Sequence, residues 1–313
     1  MKNNKTLVVI TFFERKDTLD IQLKFLAKYD ENVDIVLVDQ SEDTWSYTPS
    51  DPKIINLHHF PASRYNFYEM WRNICQIYDE YSFIFWNNDD DFVSLSAIKK
   101  AEQFLLQNEN YSMASGQVVQ IMNDGSINWE YGTSEWLKQD VNDKTALGRV
   151  KTGFKNLHVN PHALIRLDTW KKAIDMVLDT VDTNYSLAPI RFWDKIITVV
   201  SLIDGHRKTN LECVSTIRTH GYMFGRMIEK VHYPKTLEKN TAYCEMLSRL
   251  QTRNPIAEML SREHGVEHKI AHNTIIDSMN GKNICFSKFT KTVTPVEKDD
   301  SDLKYALHAL RGR

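Results

Sequence analysis

Short apolar runs alternate with amphipathic segments through the first third of the chain, and this alternation constrains the fold more than any other feature. The runs are rich in β-branched and aromatic side chains and predict strands at residues 6–13, 33–39, 53–58 and 82–86. Residues 65–78 and 97–106 have apolar side chains at helical spacing and are predicted helices. Strands that alternate with helices over short connections predict an α/β fold with an open, mostly parallel sheet flanked by helices.

Charge and cysteine content exclude several classes of protein. Among the 313 residues, 39 Lys and Arg face 41 Asp and Glu, so no overall basic field attracts nucleic acid or anionic lipid. The four cysteines are far apart in the sequence, which argues against a disulfide scaffold and against a Cys-rich zinc site. The apolar run near the N-terminus is short and is followed by charged residues at 14–17, unlike a signal peptide. No run is long enough to cross a bilayer, and we expect a cytoplasmic protein.

The composition changes along the chain and suggests a division into domains. Residues 116–186 are less periodic and rich in aromatic side chains, helical character returns at 191–203, and 214–218 is a predicted strand. From about residue 235 the pattern becomes helical. We therefore expect one domain over residues 1–230, with halves of about 1–115 and 116–230, and a helical C-terminal extension over 231–313. The extension is expected to pack on the core or on a second copy, which would make a homodimer.

Three consecutive aspartates, Asp89 to Asp91, directly follow the predicted strand at 82–86. Adjacent carboxylates repel one another, so a purely structural turn rarely needs all three. They suit a divalent cation such as Mg²⁺ or Mn²⁺, which takes oxygen ligands and commonly bridges carboxylates to a diphosphate. The alternative is an Asp-rich loop in which one residue caps the next helix.

Asp39 ends another predicted strand, where a carboxylate can accept hydrogen bonds from a ribose or a base. It can equally be a turn residue, because residues 39–43 are typical of a turn. Carboxyl ends of parallel strands lie at one edge of a sheet, where ligands bind. A cation site and a nucleoside site on that edge describe a nucleotide-sugar pocket.

The N-terminal part of the chain resembles the GT-A glycosyltransferases, especially the family-2-like group. Residues 6–13 with Arg15 resemble the first strand of that fold and the loop that contacts the nucleotide, which implicates Thr11 and Phe13 as well. Asp39 resembles the nucleoside-binding aspartate, and Arg72 with Asn73 stands where the family has an Arg-Asn pair. The resemblance implies that these residues bind the nucleotide.

Residues 88–91 resemble the family's D-x-D motif and its flank, and two registers are open. Asp89 and Asp91 give the literal match, whereas the spacing from Asn73 aligns Asn88 with Asp90. Asp91 is the expected metal ligand, and Asp89 or Asp90 is expected to bind the ribose or the metal.

The second half carries a further match to the family. Asp194 follows Trp193 at the start of a predicted helix and resembles the catalytic base, although the family usually has an acid where Trp193 stands. His220 follows the predicted strand at 214–218 and resembles an additional ligand of the metal or the diphosphate. Asp194 can also be a first-turn acid favoured by the helix dipole, and His220 a solvated loop residue.

The resemblance implies a metal-dependent glycosyltransferase that uses Mn²⁺ or Mg²⁺ and a nucleoside diphosphate sugar, with a UDP-sugar expected. If Asp194 takes the proton of the acceptor hydroxyl, direct displacement inverts the anomeric centre. A glycan is the expected acceptor. Trp129, Trp136 and His158, in the aromatic middle, would either contact it or fill an irregular subdomain.

Two alternatives belong to other classes of protein. His264, Glu267 and His268 match the H-x-x-E-H pattern of inverted zinc peptidases, and His272 would extend the series along one helical face. The other alternative is a non-catalytic nucleotide-binding module, which would keep Asp39 and the aspartates but need no base at Asp194.

Overall fold

The computed structural model describes residues 3–31, 33–43, 51–61, 67–121, 127–128, 140–155, 162–180, 193–209, 211, 213–218, 253–279 and 306. The strands in these ranges are β1 (Asn3–Phe12), β2 (Asp34–Asp39), β3 (Ile54–His59), β4 (Tyr81–Asn88), β5 (Asp91–Val93), β6 (Tyr111–Ala114), β7 (Gln117–Ile121), β8 (Ile127–Asn128), β9 (Leu164–Arg166), β10 (His206–Lys208) and β11 (Val214–Arg218). The helices are α1 (Lys16–Leu26), α2 (Phe67–Ile77), α3 (Leu95–Gln107), α4 (Ala146–Lys155), α5 (Leu167–Thr180), α6 (Trp193–Asp204), α7 (residues 253–264) and α8 (His268–Met279).

A central sheet of seven described strands has the order β10-β6-β9-β4-β1-β2-β3. The pairs β4–β1, β1–β2, β2–β3 and β6–β10 are parallel, whereas β9 runs antiparallel to both of its neighbours, β4 and β6. Four further strands form a second sheet in the order β5-β11-β7-β8. The predicted fold class, an open and mostly parallel sheet flanked by helices, is confirmed.

The apolar runs form central strands because both faces of the sheet are covered. Along β1, Leu7 and Val9 belong to one buried cluster, and Val8 and Ile10 belong to another on the opposite face. The first cluster includes residues from α2, α4, α5, α6, α7 and α8, and the second includes residues from α1 and α3. The helices therefore hold the strands from both sides and leave the strand ends available for a site.

The C-terminal helices α7 and α8 pack on the core. Ile256 and Leu260 of α7 and Ile275 of α8 are buried in the first cluster, and α8 contacts α4. A helical C-terminal region was predicted and is present, but the predicted domain boundary near residue 230 lies outside the described residues. Dimer formation through these helices stays a prediction. Among the described residues, no helix has both the length and the apolar character needed to cross a membrane.

Candidate functional site

The carboxyl ends of β1, β2 and β4 lie side by side. In the parallel ladders Phe12 is paired with Asp39, and Thr11 is paired with Asn88. The N–H of Asp89 donates to the Thr11 carbonyl at 3.1 Å, so the contact between β1 and β4 continues past the end of β4. The loops that carry most of the predicted site residues therefore leave the sheet at one edge.

The loop after β1 is held in a single conformation that directs Arg15 along this edge. Glu14 has a positive φ of 54°, which is uncommon for a residue with a side chain. Its N–H donates to the Ser41 hydroxyl at 2.8 Å, which ties the loop to the end of β2. Phe13 is 37% exposed beside it, and α1 begins directly after Arg15.

Arg15 reaches from this loop to the turn after β4. Its Nη1 lies 3.3 Å from Asp89 Oδ1 and 3.0 Å from Asp90 Oδ2. The guanidinium is mostly buried, which strengthens both contacts relative to those at an open surface. Arg15 thus gathers two of the three predicted acidic residues around one positive charge.

Asp39 is buried at the end of β2 and shapes the turn that follows. Its Oδ1 accepts a hydrogen bond of 2.9 Å from the N–H of Ser41, and its carbonyl accepts one of 2.8 Å from the N–H of Phe60. His59, the ladder partner of Asp39 on β3, contacts the Ser41 carbonyl through Nε2 at 2.8 Å. Asp39 therefore stabilises the turn that follows β2. Its contact with a ribose or a base stays a prediction.

Residues 88–91, here called the aspartate turn, are fixed through their backbone. The Gln22 side-chain N–H₂ on α1 donates to the carbonyls of Asn88 at 3.1 Å and Asp91 at 2.5 Å. The Asn87 side chain donates to the same two carbonyls, at 3.0 and 2.7 Å. Two buried side-chain amides, one on α1 and one on β4, thus bond the same two carbonyls and restrict the conformation of the turn. Gln22 is not predictable as a site residue from the sequence, since nothing in the helical pattern distinguishes it.

Asp89 has an electrostatic environment that suits a cation. It is 4% exposed, and its Oδ2 has no hydrogen-bond partner among the residues that the structure describes. Burial raises the pKa of this carboxyl well above its ordinary value, and the Asp90 charge raises it further, while Arg15 opposes both. A divalent cation would supply the missing partner and offset the repulsion.

The described part of the chain does not contain a preformed metal centre. No group of three or more His, Cys, Asp or Glu side chains within it is arranged to hold an ion. Asp89 and Asp90 face Arg15 instead, and Asp91 points to a different neighbour. The donor set and the buried oxygen of Asp89 fit Mg²⁺ or Mn²⁺, which would require Arg15 to share its carboxylates with the ion.

Asp91 lies beside His162, a residue to which the sequence analysis gave no role. His162 Nε2 is 3.5 Å from Asp91 Oδ2, and both residues are only 2% exposed. The imidazole stacks on Trp86 with an angle of 6° between the ring planes and 6.3 Å between centroids. Trp86 Nε1 in turn donates to the Thr11 hydroxyl at 3.0 Å. His162 stands two residues before β9, and its sequence position alone does not reveal that Asp91 is its neighbour.

Arg72 and Asn73 lie on α2, and their observed contacts are with helices. Arg72 donates to Asp175 at 3.0 Å and to Asp179 at 3.2 Å, both on α5, and Asn73 donates to the Glu69 carbonyl. A groove of about 200 Å³ between α2 and α5 is lined by Arg72, Cys75, Gln76, Asp79, Lys171, Ile174 and Asp175. Asp79 in its lining stands two residues before β4, whereas the aspartate turn lies at the other end of that strand. The contact of Arg72 and Asn73 with a nucleotide stays a prediction.

The predicted base and the predicted histidine ligand belong to the second half of the chain. Asp194 is the second residue of α6, as expected for an acid that opens a helix, but its side chain lies outside the described residues. His220 also lies outside them. The strand that leads to it, β11, runs antiparallel to β5, with Arg218 opposite Asp91. The chain therefore leaves β11 next to the aspartate turn, two residues before His220.

The single helical face predicted for His264, His268 and His272 is wrong. Gly265 has a φ of +64°, which ends α7 at His264, and a new helix begins at His268. His268 and His272 stack with 6.0 Å between centroids, and His264, Glu267 and His268 are exposed. Residues 264–272, here called the histidine segment, thus lack the shared face that the zinc alternative requires.

Comparisons with known proteins assign no family. No family model matches the chain, and no curated protein matches it. Solved structures that are similar to it over most of its length include two of S. aureus TarS. S. aureus TarS residues 1–349 has a TM-score of 0.46 at 12% identity, covering 89% of this chain and 92% of that one. S. aureus TarS has a TM-score of 0.44 at 12% identity, covering 88% and 54%. Similarity at this level assigns neither a residue nor an activity.

Proposed function

We propose that this chain is a metal-dependent glycosyltransferase that moves a sugar from a nucleoside diphosphate sugar, a UDP-sugar, to a hydroxyl of a glycan acceptor. The observation that carries the proposal is the convergence of Arg15, Asp39 and the aspartate turn on one edge of the sheet. A nucleotide sugar requires three such groups: a site for a cation, a positive charge for its phosphates, and a carboxylate that accepts hydrogen bonds from its ribose or base.

The donor would lie along the ends of β1 and β2. Asp39 would accept hydrogen bonds from the nucleoside, and the exposed ring of Phe13 would cover the base or sugar. Thr11 lies at the end of β1 and its hydroxyl is held by Trp86, so its part would be to fix this edge. Arg15 would pair with the diphosphate, because a guanidinium that already holds two carboxylates can exchange one for a phosphate oxygen.

Mn²⁺ or Mg²⁺ would be held by Asp89, Asp91 and His220, with Asp90 on the ion or the ribose. The ion would neutralise charge that develops on the leaving diphosphate. The buried Asp89 oxygen without a described partner and the raised pKa of that carboxyl support this assignment. The course of β11 past Asp91 supports the inclusion of His220.

Asp194 would act as the base for the acceptor hydroxyl, and the reaction would then invert the anomeric centre. Its support is the family resemblance together with its place in the first turn of α6. The two reactants must also be held in line, which is a task for the residues around the turn.

The proposal is tested first by binding. Thermal unfolding of the protein would be followed with UDP-sugars and other nucleotide sugars, each with and without Mn²⁺, since a ligand that binds the folded state raises its stability. We expect a UDP-sugar to raise the melting temperature only when Mn²⁺ is present. No shift with any nucleotide sugar would contradict the proposal.

A second measurement distinguishes an enzyme from a non-catalytic binding module. It follows the release of UDP from the donor that stabilises the protein, with and without glycan acceptors. Asp194→Asn should reduce transfer far more than donor binding, with Asp168→Asn, an exposed first-turn acid of α5, as the matched control. Equal activity of Asp194→Asn would remove it as the base. Binding without any UDP release, in the wild type and with every acceptor, would indicate the non-catalytic nucleotide-binding module.

A further inference from the structure

We propose that His162 is a positioning residue that holds the Asp91 carboxylate in the orientation needed to bind the cation. The inference rests on the proposed function, because it assigns His162 a part in the same metal site. Neither the D-x-D pattern nor the resemblance points to this histidine, which lies far from Asp91 in the sequence and reaches it only through the insertion of β9.

The position of His162 is set by elements that do not depend on Asp91. It stands two residues before β9, which is paired on both sides, with β4 and with β6. Its ring lies parallel to the indole of Trp86, and that indole is fixed in turn by the Thr11 hydroxyl. The imidazole is therefore held by the sheet and by the stacked indole, and it can serve as a fixed point for the Asp91 carboxylate.

The contact with Asp91 has the features of an orienting interaction. Nε2 and Oδ2 are 3.5 Å apart, which is slightly longer than a good hydrogen bond, so a small closing movement would form one. Both groups are almost fully buried, where such a bond is stronger than in water. If Nε2 donates to Oδ2, this bond fixes the orientation in which the Asp91 carboxylate would meet a cation. Groups that orient a ligand in this way typically change metal affinity by about 10- to 100-fold when removed.

Two substitutions separate the described contacts of His162, which are its stacking on Trp86 and its approach to Asp91. His162→Phe keeps an aromatic ring to stack on Trp86 and removes the N–H, whereas His162→Gln keeps an N–H near the position of Nε2 and removes the ring. His58→Phe is a matched control. His58 is less buried than His162, but it too contacts a side chain (Tyr78 Oη, 2.8 Å) and stacks on a ring, that of Phe60. It lies on β3, which β2 and β1 separate from β4 and its turn.

The experiment measures Mn²⁺ binding by the loss of the free-ion EPR signal, with Mn²⁺ alone and with Mn²⁺ plus UDP, so it needs no turnover. We expect His162→Phe to weaken Mn²⁺ binding at least about 10-fold, His162→Gln to recover most of that loss, and His58→Phe to bind like the wild type. Circular dichroism and thermal unfolding would confirm that each variant is folded.

Each other outcome has a definite meaning. Wild-type affinity in His162→Phe would overturn the role of His162 and leave the proposed function intact. Equal loss in His162→Phe and His162→Gln would also overturn it, since the N–H would then not be the group that matters. No Mn²⁺ binding by the wild type, even with UDP, would contradict the proposed metal-dependent function and this inference with it.

Discussion

The aspartate turn and the histidine segment both resemble metal sites when only the spacing of their side chains is considered, yet the structure holds them in opposite ways. The turn is fixed by four hydrogen bonds from Gln22 and Asn87 to its carbonyls, and Asp89 and Asp91 are buried. The histidine segment is split between two helices at Gly265, and most of its polar side chains are exposed.

The difference lies in the backbone. A set of ligands becomes a site when the chain that carries them is held in one conformation, because the cost of ordering them has then been met by folding. The backbone of the aspartate turn is held in this way by a neighbouring helix and strand, although its described side chains do not form a preformed metal centre. The histidine segment would have to order three side chains on two helices for each ion bound.

The largest expected effect is at the turn. Asp91→Asn keeps the size of the side chain and removes its charge, so we expect Mn²⁺-dependent donor hydrolysis or transfer to fall by roughly 100-fold or more with the fold intact. UDP release would measure the rate, and circular dichroism would show whether the fold is intact. Asp17→Asn, an exposed acid of α1, is the control. An unchanged rate in Asp91→Asn would place the cation elsewhere.

The second test concerns the backbone of the turn. Gln22→Met and Asn87→Leu each remove one of two amides that bond the same pair of carbonyls, and we expect each to cost about 1 to 2 kcal/mol of unfolding free energy. The double variant should lose more than the sum, because only then are both buried carbonyls left unbonded. Urea unfolding without Mn²⁺ would measure this, and strict additivity would show that the amides act independently.

The third test weakens the anchor of the histidine segment. Lys172 on α5 bonds Asp204 at 2.5 Å and also Glu263, the residue before His264. All three side chains are partly exposed, so we expect Lys172→Met to lower the unfolding free energy at pH 7 by only about 1 kcal/mol. Lys269→Met on the exposed face of α8 is the control.

The same ion pair predicts a pH dependence. Burial would raise the pKa of Glu263, but hydrogen bonds from Lys172 and Arg262 prevail and lower it. A lowered pKa stabilises the fold above the unfolded-state value, about 4.3, and this contribution is lost as the pH falls through the folded value. The difference between wild type and Lys172→Met should therefore shrink from pH 7 to pH 3. A constant difference would mean that Glu263 does not contribute.

An effect of similar size is expected at Gly265. A Cβ there would meet no atom within 4 Å, so Gly265→Ala tests the backbone conformation alone. Because φ is +64°, we expect a loss of about 1 kcal/mol in urea unfolding, and a smaller loss for Gly265→Asn, since Asn tolerates this region better. A stabilised alanine variant would indicate one continuous helix and would revive the shared histidine face.

The smallest expected effect is at His268. Its side chain is exposed at the start of α8, so His268→Ala should leave the zinc content and the unfolding free energy of the purified protein unchanged. Zinc analysis by atomic emission would measure this. Stoichiometric zinc that disappears in the variant would break the contrast between the two segments.

Much of the sheet could be predicted from the sequence because its strands are local patterns. The apolar runs that became β1, β2 and β4 are continuous, and β11 was predicted at residues 214–218 and occurs there. The aspartate turn was found for the same reason, as it directly follows such a run. The features that could not be predicted depend on parts of the structure that are distant in the sequence or on backbone angles. His162 meets Asp91 only because β9 enters the sheet between β4 and β6, and the helix break at Gly265 depends on a backbone angle that periodicity does not report.

The place of β9 in the sheet also sets an order of assembly. β4 and β6 precede β9 in the chain, yet they are separated by it, so the two strands must leave a space one strand wide until Leu164 and Ile165 arrive. Until then the edges of β4 and β6 that face this space are unpaired, and unpaired strand edges are prone to pair with other chains. His162 arrives together with β9. The step that closes the sheet therefore also brings His162 to Asp91, whose orientation we propose that it sets.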